Sequence, residues 1–301
     1  MLADSTTRDT AEAVYLLEQR FRYTYATPVR RLRHRLVVVP PAIYGSQIRF
    51  DHGLTVSGSP ATVSVTPDGF DNHVVEVRAA AVAEWIEFDA WALVGRAATP
   101  PPVSISDRRL LTPTALTRPD DVLAGAARRL SASQPGGVAL AERVNAWVHE
   151  ALTYEHDVTS VHTTAAAALA GGRGVCQDFA HVMLTVCRAA GLPSRYVSGH
   201  LVGEGGSHAW VEVIVADPSS GVPGATVAVA FDPTHNRRAG DTYLTVAVGR
   251  DYADVAPTSG TFQGTGPGVL SATKRLSFVA SPSAHRHVPP ANTEVARSSS
   301  R

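Results

Sequence analysis

The sequence is short of the residues that mark disulfide-rich, nucleic-acid-binding and membrane proteins. Only two of its 301 residues are cysteine, too few for a disulfide framework, which suits a reducing compartment. Lys plus Arg and Asp plus Glu both number 27, so the formal net charge is zero and no basic stripe stands out. No apolar run of about 18 residues occurs, and the first twenty residues lack a signal-peptide core. We therefore expect a cytoplasmic protein without nucleic-acid or membrane partners.

Patterns typical of metal sites are missing as well. The 12 histidines form no HExxH pattern, the cysteines lack zinc-finger spacing, and no calcium loop of the EF-hand type occurs. The positive charge is almost entirely arginine, because Lys274 is the only lysine. We therefore expect no metal and no cofactor.

The first third of the chain has the period-two pattern of antiparallel strands. Phe21, Tyr23 and Tyr25 alternate with polar residues, and turn residues such as Pro67-Asp-Gly69 separate the apolar runs. The pattern predicts an N-terminal antiparallel β-sandwich over residues 18–100, preceded by a flexible segment at residues 1–17.

The period changes from two to nearly four beyond a proline-rich stretch at residues 99–102. Leu140, Val144 and Val148 form one apolar helical stripe, and another helix begins at Val175 or Cys176. Strands are predicted after it, at residues 196–201, 209–215, 226–231 and 243–248. We expect an α+β domain over residues 101–280, a helical half followed by an antiparallel sheet, and a disordered tail at residues 281–301.

Cys176 is the residue whose local sequence most clearly indicates a nucleophile. A thiol becomes a good nucleophile as the thiolate, which a helix N-terminus and a nearby imidazolium stabilise. Cys176 lies at a predicted helix start, and the preceding Gly171-Gly-Arg-Gly174 allows a sharp turn and close approach of a substrate. We interpret it as an exposed nucleophile; the alternative is a buried structural cysteine.

His208 is the best candidate for the base. It begins a predicted strand in Ser-His-Ala-Trp-Val-Glu-Val, and strand alternation places Ala209 and Val211 toward the core and His208 and Trp210 toward a cleft. A solvated strand histidine is the alternative. Asp232, in Phe-Asp-Pro-Thr at a strand end, could orient the imidazole, although Asp-Pro is also an ordinary turn starter.

These motifs resemble bacterial transglutaminase-like proteins. The resemblance rests on Gly-Val-Cys-Gln-Asp-Phe-Ala-His from Gly174, the two motifs of His208 and Asp232, and Tyr23-Thr-Tyr-Ala-Thr-Pro-Val29 in the first domain. It covers about residues 21–279 and implies a papain-like, transglutaminase-like core behind an N-terminal β-sandwich. It also implies that Cys176, His208 and Asp232 form a catalytic triad.

Four further residues are assigned to the oxyanion hole or the substrate cleft, namely Gly174, Gln177, Trp210 and His200. The sequence departs from the family at His200, where members often have tyrosine, and just before Phe-Asp-Pro-Thr, where Val-Ala-Val-Ala replaces an aromatic-rich stretch. Cys187 is interpreted as core, His181 as structural and Asp178 as an acid that favours the helix N-terminus.

The chemistry implied is acyl transfer through a thioester on a peptide or protein amide. The backbone N–H of Cys176 is the first candidate oxyanion donor. Either water or an amine could resolve the thioester. One lysine cannot support extensive self-crosslinking, so an amine acceptor would have to come from another protein or a small molecule, and hydrolysis is slightly favoured because water is always present. A binding module that retains the fold without catalysis is the alternative, and a metal-dependent hydrolase is more distant.

Overall fold

The computed structural model describes residues 13–96, 105–133 and 136–280. The predicted tail, the predicted boundary at residues 100 and 101, and residues 1–12 of the predicted flexible segment lie outside the described residues. A strand already begins at Val14. The flexible segment predicted to reach residue 17 is therefore too long, because Leu17 packs in the core with 1% of its surface exposed.

Two antiparallel sheets form the first unit. Their strands are β1 (Val14–Thr24), β2 (Val29–Val39), β3 (Ile43–Tyr44), β4 (Gln47–Ser57), β5 (Thr62–Pro67), β6 (His73–Val82) and β7 (Trp85–Arg96), with β15 (Thr258–Gln263) and β16 (Val269–Ala280) from the end of the described chain. The sheet orders are β16-β1-β7-β4-β3 and β15-β2-β6-β5. Alternate residues such as Phe21, Leu36, Val77 and Phe88 point into one core, as expected of a β-sandwich.

The last two strands belong to these sheets and not to the second domain, to which the sequence analysis assigned them. Strand β16 pairs with β1, with Phe21 opposite Ala272, and β15 pairs with β2. The prediction ended the sandwich too early because alternation identifies a strand but not the strand with which it pairs.

The second unit is a helical half followed by a sheet. Its helices are α1 (Asp121–Ser133), α2 (Gly137–Ala151), α3 (Ala165–Gly171), α4 (Cys176–Ala189) and α5 (Tyr252–Val255), and its strands are β8 (Thr153–Tyr154), β9 (Arg173–Gly174), β10 (Ser194–Leu201), β11 (His208–Ala216), β12 (Thr226–Asp232), β13 (Arg237–Arg238) and β14 (Tyr243–Gly249). Strands β8 and β9 form a short parallel pair, and the others form an antiparallel sheet in the order β13-β12-β11-β10-β14. The predicted α+β class and antiparallel N-terminal sheets are confirmed. No described helix has both the length and the apolar character needed to cross a bilayer.

Helix α4 is the centre of the second unit. It packs against α1, α2 and α3 on one side and against β10 and β11 on the other, which explains why every residue from Gln177 to Arg188 is buried. The apolar stripe of α2, including Leu140, Val144 and Val148, closes the same core. The helix start, where Cys176 lies, is therefore held rigidly against the sheet.

Two amide side chains of the first unit form hydrogen bonds with the backbone of β14, the edge strand of the second sheet. Asn72 Nδ2 donates to the carbonyl of Val248 at 2.7 Å, and Asn72 Oδ1 accepts from the Val248 N–H at 2.8 Å. Gln47 makes the same pair of bonds with Thr245 at 2.7 and 2.8 Å. Both amides are about 1% exposed. They take the place of a neighbouring strand along β14, which satisfies backbone groups that burial would otherwise leave unpaired.

We expect Asn72→Ala to lower the free energy of unfolding by about 2–4 kcal/mol, because it leaves the buried N–H and C=O of Val248 without partners. Urea unfolding followed by circular dichroism measures the change. Val222→Ala, at a residue that is 63% exposed, is the control and should stay within about 0.5 kcal/mol of the parent. A loss for Asn72→Ala no larger than the control's would contradict this role.

Candidate active site

Helix α4 begins at Cys176 because the segment before it is held at its start by the end of α3 and at its end by Asp178. Gly172 ends α3 in the left-handed conformation with φ 64°, which favours glycine, and Val175 is extended as the residue before the helix. Asp178, in the first turn, reaches back so that its Oδ2 accepts the Val175 N–H at 2.8 Å and the Thr159 hydroxyl at 2.7 Å. Cys176 is half-buried at this helix end.

His208 is the first residue of β11, the strand that packs against α4. Its Nε2 donates to Asp232 Oδ2 at 2.8 Å, so Nδ1 is the ring nitrogen that is not bonded to Asp232. The imidazole stacks on Trp210, with ring centroids 6.3 Å apart and an angle of 25° between the planes. The ring is therefore held in position and orientation by contacts from two directions.

Asp232 ends β12 and is fully buried. Besides His208, its Oδ2 accepts the Tyr243 hydroxyl and His235 Nδ1, both at 2.7 Å. Its Oδ1 accepts the backbone N–H of Thr234 at 3.0 Å and of His235 at 3.3 Å. Five donors thus surround one carboxylate, which allows it to remain ionised away from water.

His208 and Asp232 each stabilise the charged form of the other. Burial lowers the pKa of His208, but the hydrogen bonds and charges of Asp232 and Cys176 outweigh it and raise that pKa to about 10. Burial raises the pKa of Asp232, but the hydrogen bond and charge of His208, together with His235 and Tyr243, hold it well below its usual value. An imidazolium and a carboxylate are therefore the stable forms at neutral pH.

His235, Tyr243 and Glu204 are parts of this site that the sequence analysis missed. His235 follows Asp232 by three residues in the turn that Pro233 starts, and Tyr243 is the first residue of β14. Glu204, in the turn between β10 and β11, lies 3.3 Å through Oε1 from His235 Nε2 and 3.9 Å through Oε2 from His208 Nδ1. The only sequence signal for any of these three residues was a histidine shortly after the Asp-Pro turn.

The four residues predicted to line the cleft are mainly occupied with internal contacts. Trp210 is 1% exposed and packs with Val197 and Tyr243 under the first unit. The cleft predicted on its side of the strand is absent there, because Tyr44 and Phe70 cover that face. Trp210 supports His208 from behind.

Gly174, Gln177 and His200 also have structural contacts. A Cβ on Gly174 would lie 2.6 Å from Asp178 Oδ2, so glycine permits the close packing of β9 on α4. Gln177 Nε2 donates to the Ser160 carbonyl at 3.5 Å. His200 is 3% exposed, and its Nδ1 lies 3.1 Å from the Gly206 carbonyl; burial lowers its pKa to about 4.

Cys187 and His181 lie in the core. Both are fully buried, and burial raises the pKa of the Cys187 thiol to about 12. His181 Nε2 accepts the N–H of Tyr252 at 3.2 Å. Neither side chain is available for chemistry on a substrate.

His208, Asp232 and His235 are also residue types that bind metal ions. One ligand atom from each lies within 4.8 Å of the others. In this structure, however, each imidazole donates an N–H to Asp232, and a protonated ring nitrogen has no lone pair to offer. A cation could bind at these atoms only if both rings gave up those protons.

The arrangement can perform nucleophilic chemistry. A cysteine at a helix start, a histidine on the adjacent strand and a carboxylate that orients its ring are the three groups needed for attack on an acyl carbon and protonation of its leaving group. The first backbone N–H groups of α4, those of Cys176 and Gln177, have no acceptor within the helix. N–H groups at a helix start are the kind of donor that can hold an oxyanion.

Comparisons with known proteins identify relatives of both units of the chain. Residues 124–221 match the family described as the transglutaminase-like superfamily, and residues 15–94 match the bacterial transglutaminase-like N-terminal region. Cys176 and His208 lie inside the first match, and Asp232 lies beyond it. A solved structure described as "a Putative Cysteine Protease from Cytophaga hutchinsonii" superposes with a TM-score of 0.72 over 90% of this chain and 92% of that one, at 19% identity, which shows a shared fold.

Two similar curated proteins come from mycobacteria. An uncharacterised protein of Mycobacterium leprae is 36% identical over 176 residues, which are 54% of this chain and 59% of that protein. An uncharacterised protein of Mycobacterium tuberculosis is 34% identical over 124 residues, 38% of each. The chain therefore spans less than two thirds of the length of either relative.

Proposed function

Because the chain carries a transglutaminase-like core behind a bacterial transglutaminase-like N-terminal region, we propose that it is a cysteine-dependent enzyme that transfers acyl groups from peptide or protein amides through a thioester. The observation that supports this best is the bond at 2.8 Å between His208 and the fully buried Asp232, at the start of the strand that packs against the helix beginning with Cys176. In this proposal Cys176 is the nucleophile, His208 is the general acid and base, and Asp232 is the carboxylate that orients His208.

Acylation begins with attack of the Cys176 thiolate on the amide carbon. The N–H groups at the start of α4 hold the developing oxyanion, and His208 gives its Nδ1 proton to the leaving nitrogen. The C–N bond breaks, an amine leaves, and the acyl group stays on sulfur while His208 becomes neutral. Asp232 keeps the Nε2 proton in place throughout, so that Nδ1 can exchange the other proton.

Deacylation needs an acceptor, and we propose water in preference to an amine. Neutral His208 takes a proton from the acceptor, which attacks the thioester and releases the thiolate. Lys274, the only lysine, is half-buried in β16 with its ammonium 5.7 Å from the Phe21 ring centre. Burial lowers its pKa, while the charge of Cys176 raises it. A side chain held in this way is a poor acceptor for another copy of the enzyme.

The acceptor preference is tested with a glutamine-containing acyl-donor peptide, with and without a labelled primary amine. We expect release of ammonia and formation of the free acid in both reactions, at nearly equal rates, because water is present at far higher concentration than the amine. Mass spectrometry of the products measures the partition. Incorporation of the amine much faster than acid formation would reject the hydrolytic preference but keep the thioester.

The same assay separates the proposed enzyme from two alternatives. A binding module with this fold would form neither product. A metal-dependent hydrolase, for which the His208, Asp232 and His235 cluster is the relevant feature, would lose turnover in the presence of a chelator. We expect turnover to survive the chelator, because no step above uses a cation.

A further inference from the structure

Tyr243 connects Asp232 with an arginine. Its hydroxyl oxygen lies 2.7 Å from Asp232 Oδ2 and 2.7 Å from Arg237 Nε. An arginine nitrogen can only donate, so the hydroxyl oxygen accepts from Arg237 and its own proton is left for Asp232. Tyr243 is 5% exposed, and burial, together with the hydrogen bond and charge of Asp232, holds its pKa above the usual value. The hydroxyl therefore remains a donor to Asp232 throughout the neutral pH range.

The hydrogen bond from Tyr243 limits where the Asp232 carboxylate can lie. The oxygen that accepts it, Oδ2, also accepts the Nε2–H of His208 at 2.8 Å. The Tyr243 ring packs edge-on against Trp210, with ring centroids 5.3 Å apart and 75° between the planes, and Trp210 in turn stacks on His208. Tyr243 therefore holds the acceptor oxygen in the position from which it orients the His208 ring.

An arginine of the first unit holds the backbone of Tyr243. Arg96, the last residue of β7, donates from Nη2 to the Tyr243 carbonyl at 2.6 Å and to the Asp241 carbonyl at 3.0 Å, and from Nε to the same Asp241 carbonyl at 3.2 Å. Its Nη1 donates to the Ser46 hydroxyl at 3.0 Å, which fixes the guanidinium within the first unit. A rigid planar fork of donors suits such a set of acceptors. The first unit thus reaches the strand that carries the partner of Asp232.

Other contacts between the two units do not reach the site in this way. Asn72 binds the backbone of Val248, further along β14. Tyr243 is the one residue of β14, a strand described over its whole length, whose side chain bonds to Asp232. The contact of Arg96 with Tyr243 can therefore be distinguished by experiment from general contact between the units.

We propose that Tyr243 is a positioning residue of the active site and that the N-terminal β-sandwich holds it there through Arg96. The proposal rests on the function proposed above, because it gives the first unit a role in the same site. The contacts run from Arg96 to the Tyr243 backbone, and from the Tyr243 hydroxyl to Asp232, which orients His208. The β-sandwich is then needed for the rate of the reaction and not for binding of the substrate.

Kinetics with an acyl-donor peptide test the proposal. Tyr243→Phe removes only the hydroxyl, and we expect kcat to fall about tenfold with KM within about twofold of the parent, because a hydrogen bond to a charged group behind the substrate is lost. Arg96→Gln should lower kcat about fivefold in the same way. The double variant should be no slower than Tyr243→Phe, because Arg96 acts through the Tyr243 hydroxyl. Losses that multiply would mean that the two residues act separately, and would overturn the proposal.

Two variants serve as controls. Tyr25→Phe removes the hydroxyl of another tyrosine that is 5% exposed, and that hydroxyl has no hydrogen-bond partner among the described residues. Asn72→Ala weakens the contact between the units without touching Tyr243. Both should keep kcat within about twofold of the parent. A loss in Tyr25→Phe equal to that in Tyr243→Phe, or a loss in Asn72→Ala equal to that in Arg96→Gln, would reduce the effect to general loosening of the structure and overturn the proposal.

A measurement without substrate separates failure of this proposal from failure of the proposed function. The Nε2–H of His208 is bonded to Asp232, and its exchange with water is measured by NMR on protein labelled with ¹⁵N-histidine. We expect exchange to be about tenfold faster in Tyr243→Phe and in Arg96→Gln, and unchanged in the two controls. If the parent turns over no donor peptide, the proposed function fails and this exchange rate decides the positioning role. Faster exchange in Tyr243→Phe and Arg96→Gln alone supports that role, and equal exchange in all variants overturns it.

Discussion

Replacing Cys176 with alanine is expected to reduce turnover of an acyl-donor peptide by about 10⁴-fold or more, because no other group in the site can form the acyl-enzyme. The folded state should survive, since Cys176 is only half-buried and its loss leaves α4 otherwise unchanged. Initial rates measured with the same donor peptide give the effect. Mass spectrometry of the parent, quenched in acid, should show the acyl group on Cys176 and nowhere in Cys176→Ala.

Cys187 provides a matched control on the same helix. Cys187→Ala should keep turnover within about threefold and lose about 1 kcal/mol of stability through the small cavity it leaves. Iodoacetamide near pH 6 should label Cys176 much faster than Cys187, because Cys187 is fully buried and burial raises its pKa to about 12. Equal labelling of the two cysteines, or turnover retained by Cys176→Ala, would refute the role of Cys176.

Local patterns were sufficient to predict the elements that carry the site. The helical period of the apolar residues predicted a helix that begins at Val175 or Cys176, and α4 does begin at Cys176. The change of period predicted α2 and the four main strands of the second sheet close to their observed bounds. These features could be predicted because helix caps and side-chain periodicity act over only a few residues.

Features that depend on distant segments could not be predicted in the same way. Alternation placed Trp210 opposite the helical core, but it could not reveal that Tyr44 and Phe70 cover that face. Arg188 is 5% exposed and donates to four groups from three other segments, the carbonyls of Leu110, Ser194 and Arg250 and the hydroxyl of Thr117. Nothing near Arg188 in the sequence indicates that it joins these segments.

The contacts of Asp232 also depend on segments distant in the sequence. Among residues that do not touch the substrate, Asp232 is the one whose replacement is expected to reduce activity most. Asp232→Asn should lower kcat/KM by about 10²- to 10⁴-fold, because an amide NH₂ cannot accept from His208, His235 and Tyr243 as the carboxylate does. Asp251→Asn is the control: Asp251 is also buried, at 4% exposed, and caps α5, a position that asparagine tolerates. Similar losses in both variants would attribute the effect to general destabilisation.

The dependence of activity on pH distinguishes orientation and charge from loss of structure. In the parent, His208 has a pKa of about 10, so the imidazolium that protonates the leaving nitrogen persists through neutral pH and is lost as the pH rises through about 10. Asp232→Asn removes the charge that raises this pKa, so the alkaline limb of kcat/KM should move toward lower pH.

The free energy of unfolding should depend on pH in the same direction as the activity. The stability that comes from the raised pKa of His208 is fully present at pH values just below its ordinary value of 6.5 and is lost as the pH rises to about 10, so the parent should lose more stability than the variant over that interval. An alkaline limb that stays in place in Asp232→Asn would mean that Asp232 does not control the proton on His208.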